Sequence, residues 1–456
     1  MAKASAARNG AEPHGEKKPA GCYVLSLEVE NVRCFGPKQT LDCSDGEGRP
    51  RQWTVILGDN GTGKTTLLQA LACHEWMDKS DDNIFKGEAL ILQMFPGFLS
   101  RSTPQRHGKS HLSACIQATI RESSGTACLG SWDILSDSTA TFSSVLHSLV
   151  LCGYGPNRGA FVRNEESGMA ETPSDDATSS LFLGGSRLRD AEKLLINLDY
   201  ASKSDDGGTQ KEILDRVEEV LLNVLPGITA LNYEPGTGYF PRPRVEFKSD
   251  YGWVPHRQLG HGYQTMIAWV VDFVSRMVER YPESENPFAE PAVCLVDEID
   301  LHLHPVWQRK VIGYLSERFP NTQFIVTAHS PLVVQAAASA NANIAVLVRS
   351  TEKDTDGNHY VEIKNNPEDV RNWRLDQILT SDLFGMSSAR PVEVEQLFAR
   401  KHALLAKAKL TKTEQGELAD IEKQLRELPF GETRPDMKAM DEVRQTLEML
   451  KKKLAP

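Results

Sequence analysis

The sequence predicts an α/β fold, and three observations carry that expectation. The runs "WTVILG" (Trp53–Gly58), "AVCLVDE" (Ala292–Glu298) and "QFIVTAHS" (Gln323–Ser330) are short and apolar, as strands buried on both faces are. The first passes through a glycine-rich loop directly into "KTTLLQALACHEW", which has helical spacing. Helical stretches separate the strands: Leu188–Leu225 closes at Pro226-Gly227, and another helix opens at Pro305.

The remaining elements follow in chain order. "YVLSLEVENVRCF" (Tyr23–Phe35) alternates with period two and reads as a strand or a hairpin. From about 78 to 180 the chain is rich in Ser, Gly, Asp and Thr with apolar islands such as "ALILQMF" and "VLHSLVLCGYG", the texture of a loop-rich insertion. "RVEFKSDYGWV" reads as a hairpin turning near Asp250-Tyr251-Gly252, and "IAVLVR" and "HYVEIK" as two final strands. Asp354-Thr355-Asp356 falls in the turn between those two. After Pro391 the texture changes to charged, Leu-spaced helices over Val392–Leu428 and Asp436–Leu454, with Thr411 and Glu414 at capping-box spacing. The expected organisation is an N-terminal disordered arm (1–20), an α/β head (21–385, with its loop-rich and helical insertion at about 78–245) and a helical C-terminal region (386–456).

Composition narrows the class. The 456 residues are 40% hydrophobic and 25% charged, as in a soluble globular chain with room for more than one domain. No apolar run approaches the ~18 residues of a membrane helix, and the best, "MIAWVVDFV", is broken by an acid. The first twenty residues lack the apolar core of a signal peptide. Eight cysteines with no CxxC pair suggest neither a zinc ribbon nor a disulfide framework, so a reducing cytoplasm is the expected setting. A net charge of −11 argues against a surface coated for nonspecific DNA binding, while leaving room for a local basic patch.

The chemistry concentrates in three short segments. "GDNGTGKT" (Gly58–Thr65) fits G-x-x-x-x-G-K-[ST] between a strand and a helix. Its glycines Gly58, Gly61 and Gly63 let backbone N–H groups, with those of Asn60 and Thr66 nearby, turn inward as an anion nest at a helix N-terminus. Lys64 would reach the β- and γ-phosphates of ATP, and Thr65 would offer its hydroxyl to Mg²⁺. A second strand ends in Asp297 and Glu298, which can divide two tasks: one acid in the Mg²⁺ shell, the other polarising a water for in-line attack. The third strand ends at His329, about 30 residues further on, where it could hydrogen-bond a γ-phosphate. The alternating His302 and His304 invite a zinc reading, which lacks a third or fourth nearby Cys or His.

With these residues in place the sequence resembles the ABC-type ATPases, and within them the RecF, SMC and OLD-like heads. "VENVRCF" is similar to their N-terminal strand, "GDNGTGKT" to Walker A, "VCLVDE" to Walker B and "TAHS" to the switch-histidine loop. The resemblance implies Asp297 as the Mg²⁺-side acid, Glu298 as general base, His329 as γ-phosphate sensor and Asp300 in the D-loop, with His302 and His304 part of that loop and a helix start. "QLGHGYQTMIAWVVDF" (Gln258–Phe273) resembles the signature segment, matching at Leu259 and Gly262 with Gly260 in place of the serine. The missing hydroxyl leaves amides and a helix dipole to cap the nucleotide of an opposite subunit, so slow hydrolysis is expected. The Q-loop glutamine is Gln93 or Gln117.

The resemblance covers roughly 21–350. "YGPNR" (Tyr154–Arg158), "LRD…LDYA" and "WRLDQILTSDLFGM…RP" narrow it to the stand-alone AAA-type ATPases of bacterial defence islands, of the Septu and retron-associated kind. That implies a homodimer or higher oligomer and a separately encoded nuclease partner, often HNH-type, with DNA as a further candidate partner and no membrane. The alternative is a RecF/SMC-like DNA-repair or DNA-clamping ATPase. A transporter motor is disfavoured by the RecF/SMC-like first strand, an SMC protein by the missing coiled coil, and an OLD nuclease by the missing TOPRIM domain. The charged tail is either a packing element or a surface for the partner.

Overall fold

The computed structural model describes residues 21–73, 114–122, 127–134, 140–141, 149–156, 158, 177–182, 188–204, 208–236, 242–354, 357–407 and 410–426. The expected arm (1–20), Gln93 with "ALILQMF", Asn157, residues 355–356 and the second tail helix (436–454) lie outside them. The described residues fall into two units. The first runs up to Ile378 and includes Asp382–Phe384; the second comprises Leu379–Ser381 and the residues from Gly385 onward.

In chain order the first unit begins with β1 (Cys22–Glu30), β2 (Gln39–Asp42), β3 (Trp53–Gly58) and α1 (Lys64–Ala72). Next come β4 (Ala114–Glu122), β5 (Ala127–Ile134), β6 (Ala140–Thr141), β7 (Leu151–Tyr154) and the short α2 (Ser179–Phe182). Helices α3 (Ala191–Ser204) and α4 (Thr209–Val224) precede β8 (Ala230–Glu234), β9 (Arg244–Ser249), β10 (Gly252–Pro255) and the long α5 (His261–Arg280). The unit continues with β11 (Ala292–Val296), α6 (Pro305–Gln308), α7 (Val311–Arg318), β12 (Thr322–Thr327), α8 (Pro331–Ser339), β13 (Asn343–Lys353), β14 (His359–Asn365) and α9 (Leu375–Leu379), whose last residue falls in the second unit.

A six-stranded sheet in the order β14-β13-β3-β12-β11-β7 is the frame. Its five neighbouring strands from β13 to β7 are parallel, and β14 joins antiparallel at one edge. Parallel strands bury both faces, and alternation shows it directly. On β3, Trp53, Val55 and Leu57 enter one core while Ile56 enters the other. On β11, Cys294 and Val296 face one way and Val293 and Leu295 the other. The first core holds α3, α4, α5, α7 and α8; the second holds α1 and residues of β1, β2 and β4, which belong to an antiparallel sheet in the order β2-β1-β4-β5-β6. A three-stranded sheet, β10-β9-β8, makes the hairpin expected around Asp250.

One reading changes. The stretch from about 78 to 180 is less loop-like than its composition suggests, because β4 pairs along β1 and β7 is an edge strand of the parallel sheet beside β11. Four residues are too few to announce a strand, and β7 becomes one only by pairing. The helical stretch expected over Val392–Leu428 divides into α10 (Val392–Leu405) and α11 (Lys412–Arg426), at the helix start expected from Thr411 and Glu414. The break comes where Thr411 opens a capping box: its backbone N–H donates to Glu414 at 2.9 Å, and the Glu414 N–H donates to the Thr411 hydroxyl at 3.3 Å.

Aromatic packing pins the centre of the sheet. Phe324 stacks on Trp53 with centroids 4.3 Å apart, and Trp53 donates its indole N–H to Ser316 at 2.7 Å. Phe324→Ala is expected to destabilise the first unit by about 3–5 kcal/mol through a cavity in mid-sheet. Urea unfolding checks this: the midpoint should fall with little change in the m-value.

Candidate functional site

In a parallel sheet the carboxyl ends of the strands open onto a common crevice, the usual place for a ligand. Here β3 ends at Gly58, β11 at Val296, β12 at Thr327 and β7 at Tyr154. Their register aligns those ends: Val296 lies opposite Val326 and Tyr154, Thr327 opposite Ile56, and Gly58 opposite Leu347. Residues far apart in the chain therefore meet at one edge.

The loop after β3 requires its glycines. Gly58, Gly61 and Gly63 have φ of 147°, 79° and 93°, a region side chains rarely adopt. A Cβ on Gly63 would stand 2.5 Å from Cys34 Sγ and 2.9 Å from the Phe35 ring. Helix α1 starts immediately after it, with the Leu67 N–H donating to the Gly63 carbonyl at 3.1 Å. Lys64 is buried and its ammonium donates to the carbonyls of Gly58 (2.7 Å) and Asp59 (2.9 Å). Burial pushes its pKa down, opposed by the acids Asp297, Glu298, Asp59 and Asp300. A left-handed loop at a helix start, with a cation folded over it, suits a polyphosphate.

Asp297 is 1% exposed. Its carboxylate accepts from the Thr65 hydroxyl at 2.6 Å and from the Thr327 hydroxyl at 2.5 Å. Thr65 and Asp297 thus form a pair of hard oxygen donors of the kind that suits Mg²⁺. Beyond Asp297 the strand ends abruptly. The Glu298 N–H turns to the Thr327 hydroxyl at 2.7 Å, and Glu298 itself takes φ of 50° with its side chain partly exposed. The two acids are thereby separated, one buried and one partly exposed.

The predicted residues fall as follows. Asp300 accepts from the His329 backbone N–H at 2.9 Å, which ties the loops after β11 and β12; the His329 side chain is exposed. Gly260 caps α5, with Leu259 buried before it, and Gly262 lies under the His302 carbonyl, where a Cβ would come within 2.5 Å. His261 and His302 meet edge to face at 4.8 Å. His304 accepts from the Val306 N–H at 3.4 Å as the cap of α6. Among the described residues no three or more His, Cys, Asp or Glu gather in a way that could hold a metal. Thr66 accepts from Arg33 at 3.2 Å, and the Asn60 carbonyl accepts from Arg349 at 3.3 Å. Gln117 sits in mid-strand on β4 opposite Glu28, in the antiparallel sheet.

Sequence reasoning passed over several residues that shape this edge. Thr327 has no signal in the sequence beyond its place at a strand end, yet it touches both acids. Arg349, on β13, brings a second cation to the phosphate loop. Arg158 reaches the carbonyls of Asp297 and Glu298 from beyond β7; its one signal in the sequence was "YGPNR".

Two family descriptions match this chain: "AAA domain" over residues 26–126, which contains the glycine loop, and "AAA domain, putative AbiEii toxin, Type IV TA system" over 242–335, which contains Leu259 through His329. Both descriptions name an AAA domain, and each covers less than half of the chain. The chain is 24% identical over 408 residues to the Septu protein PtuA of Bacillus mycoides (strain KBAB4), covering 88% of this chain and 50% of that one. It is 32% identical over 173 residues to the "Retron Ec83 probable ATPase" of Escherichia coli, covering 38% of this chain and 30% of that one. The chain thus spans half or less of the length of these relatives. Among solved structures, an Smc head bound to the C-winged helix domain of ScpA overlays with a TM-score of 0.38 at 16% identity, covering 75% of this chain and 97% of that one. No helix among the described residues is long and apolar enough to cross a membrane.

Lys64→Ala is expected to abolish ATP binding while leaving thermal stability nearly unchanged. Gly63→Ala is expected to abolish it and lower stability as well, because the added methyl meets Cys34 and Phe35. Fluorescent-ATP titration with parallel melting curves checks both; binding retained by Lys64→Ala contradicts the assignment of the loop.

Proposed function

We propose that the head binds and hydrolyses ATP at this edge, works as a dimer, and regulates a separately encoded nuclease effector in antiphage defence. The observation that supports hydrolysis most is the Asp297 carboxylate held against Thr65 of the glycine loop, with a partly exposed Glu298 next to it at a positive φ. Backbone amides of Gly58–Thr66 cradle the phosphates, and Lys64 and Arg349 supply positive charge. Thr65 and Asp297 would hold Mg²⁺, which supplies charge to offset that of the β- and γ-phosphate oxygens. Glu298 takes the proton of a water whose oxygen bonds to the γ-phosphorus as the bond to the ADP oxygen breaks, and His329 donates to the γ-phosphate.

The segment Leu259–Gly262 at the start of α5 faces the nucleotide of a second copy in this reading. With glycine at 260 it offers amides and a helix dipole in place of a hydroxyl, which favours slow turnover. The regulatory half rests on the similarity to Septu and retron ATPases, which extends over 88% of the chain for the Septu relative. ATP shifts the dimer equilibrium by binding the closed state better than the open one. A nuclease, of the HNH type in this reading, responds to that state.

Glu298→Gln is expected to bind ATP, to lose roughly 10²- to 10⁴-fold in hydrolysis and to accumulate as a nucleotide-bound dimer on a sizing column. Wild-type turnover in this variant places the base elsewhere. Purified chain with ATP and Mg²⁺ is expected to leave plasmid and single-stranded DNA intact until the partner nuclease is added. Cleavage by the chain alone, lost on a point change within it, contradicts the regulatory role.

A further inference from the structure

We propose that Arg158 is a positioning residue that fixes the main chain of Glu298, and so aims the carboxylate used in hydrolysis; this rests on Glu298 being the general base. Arg158 is 2% exposed. One terminal nitrogen donates to the carbonyls of Gly155 (3.0 Å) and Asp297, and the other donates to the carbonyl of Glu298 at 2.8 Å. Its Nε has no partner among the described residues. A guanidinium buried this deeply is ordinarily paired with a carboxylate. Here, among the described residues, every hydrogen bond it makes goes to a main-chain carbonyl.

Two of those carbonyls belong to the peptide groups on either side of the Glu298 Cα. The amide edges of the same two groups are held by Thr327: the Glu298 N–H donates to its hydroxyl at 2.7 Å and the Ile299 N–H to its carbonyl at 2.9 Å. Each peptide plane is therefore gripped on both edges, carbonyl by Arg158 and amide by Thr327. Because peptide planes are rigid, fixing both sets φ and ψ of the residue between them. That residue has φ of 50°, a conformation a glutamate keeps only when its surroundings impose it.

The competing explanation is that Arg158 only neutralises the surrounding acids. Burial pushes its pKa down to about 10, opposed by Asp297, Glu298 and Asp300, so it remains charged at neutral pH. A lysine would serve that purpose too. It could not span carbonyls of successive peptides with a planar fork.

The test uses the full chain and measures ATP Kd, KM, kcat and melting temperature. Arg158→Lys is expected to keep ATP Kd within about twofold and to lower kcat by roughly 10- to 100-fold, as for a misplaced reacting group. Added to Glu298→Gln, it is expected to lower the residual rate no further. Unchanged kcat in Arg158→Lys, or a second loss of equal size in the double variant, overturns the proposal. Should Arg158→Lys fail to fold, Arg158→Ala is assayed with added guanidinium and with methylammonium. Recovery of kcat with guanidinium alone supports the proposal, and equal recovery, or none, with both overturns it. Full hydrolysis by Glu298→Gln alone removes the base assignment; full hydrolysis by Arg158→Lys beside an inactive Glu298→Gln removes only this proposal.

Discussion

The carboxylate of Asp297, shared between the hydroxyls of Thr65 and Thr327, joins three strand ends into one site. A buried carboxylate is costly unless donors surround it. Here the donors come from α1, just past the glycine loop, and from β12, while the acid itself ends β11. The order β3-β12-β11 in the sheet makes that meeting possible, and the parallel register puts all three ends on the same edge. This bridge ties the glycine loop to Asp297 through Thr65, while Thr327 and Asp300 tie Glu298 and the His329 loop to each other.

The same edge is braced from the helical layer. Tyr154, at the end of β7, accepts the Asp297 N–H on its carbonyl at 2.8 Å and donates its hydroxyl to Asp272 at 2.9 Å. Asp272 lies on α5, is 0% exposed, and is also held by Arg276 at 2.7 Å. Helix α5, capped by Gly260, is thereby joined through Asp272 and Tyr154 to the strand end carrying Asp297. Glu298 departs from the strand at that same point, gripped between Arg158 and Thr327.

How much of this was legible depended on sequence distance. Gly58–Thr65 could be read outright, because a loop whose backbone needs left-handed residues writes glycines at fixed spacing. Asp297, Glu298 and His329 followed from strands that end in polar groups. Arg158, Thr327 and Arg349 could not be ranked the same way, since their partners lie 139, 30 and 289 residues away, at Asp297 for the first two and Asn60 for the third. Nothing local distinguishes such residues from any other buried arginine, strand-end threonine or exposed arginine. Strands β4 and β7 were obscured for a related reason: their surroundings are polar, and pairing with β1 and β11 is what makes them strands.

The most direct measurement is the Mg²⁺ dependence of ATP affinity in Asp297→Asn. The side chain keeps its shape and can still meet the two threonine hydroxyls, but it loses the charge a divalent cation needs. Titration of ATP with and without Mg²⁺ should show a clear gain from Mg²⁺ in the wild-type chain. In the variant that gain should vanish while Mg²⁺-free binding persists. An equal gain in both proteins would mean that the cation is held elsewhere and that the Asp297 bridge is not the centre of the site.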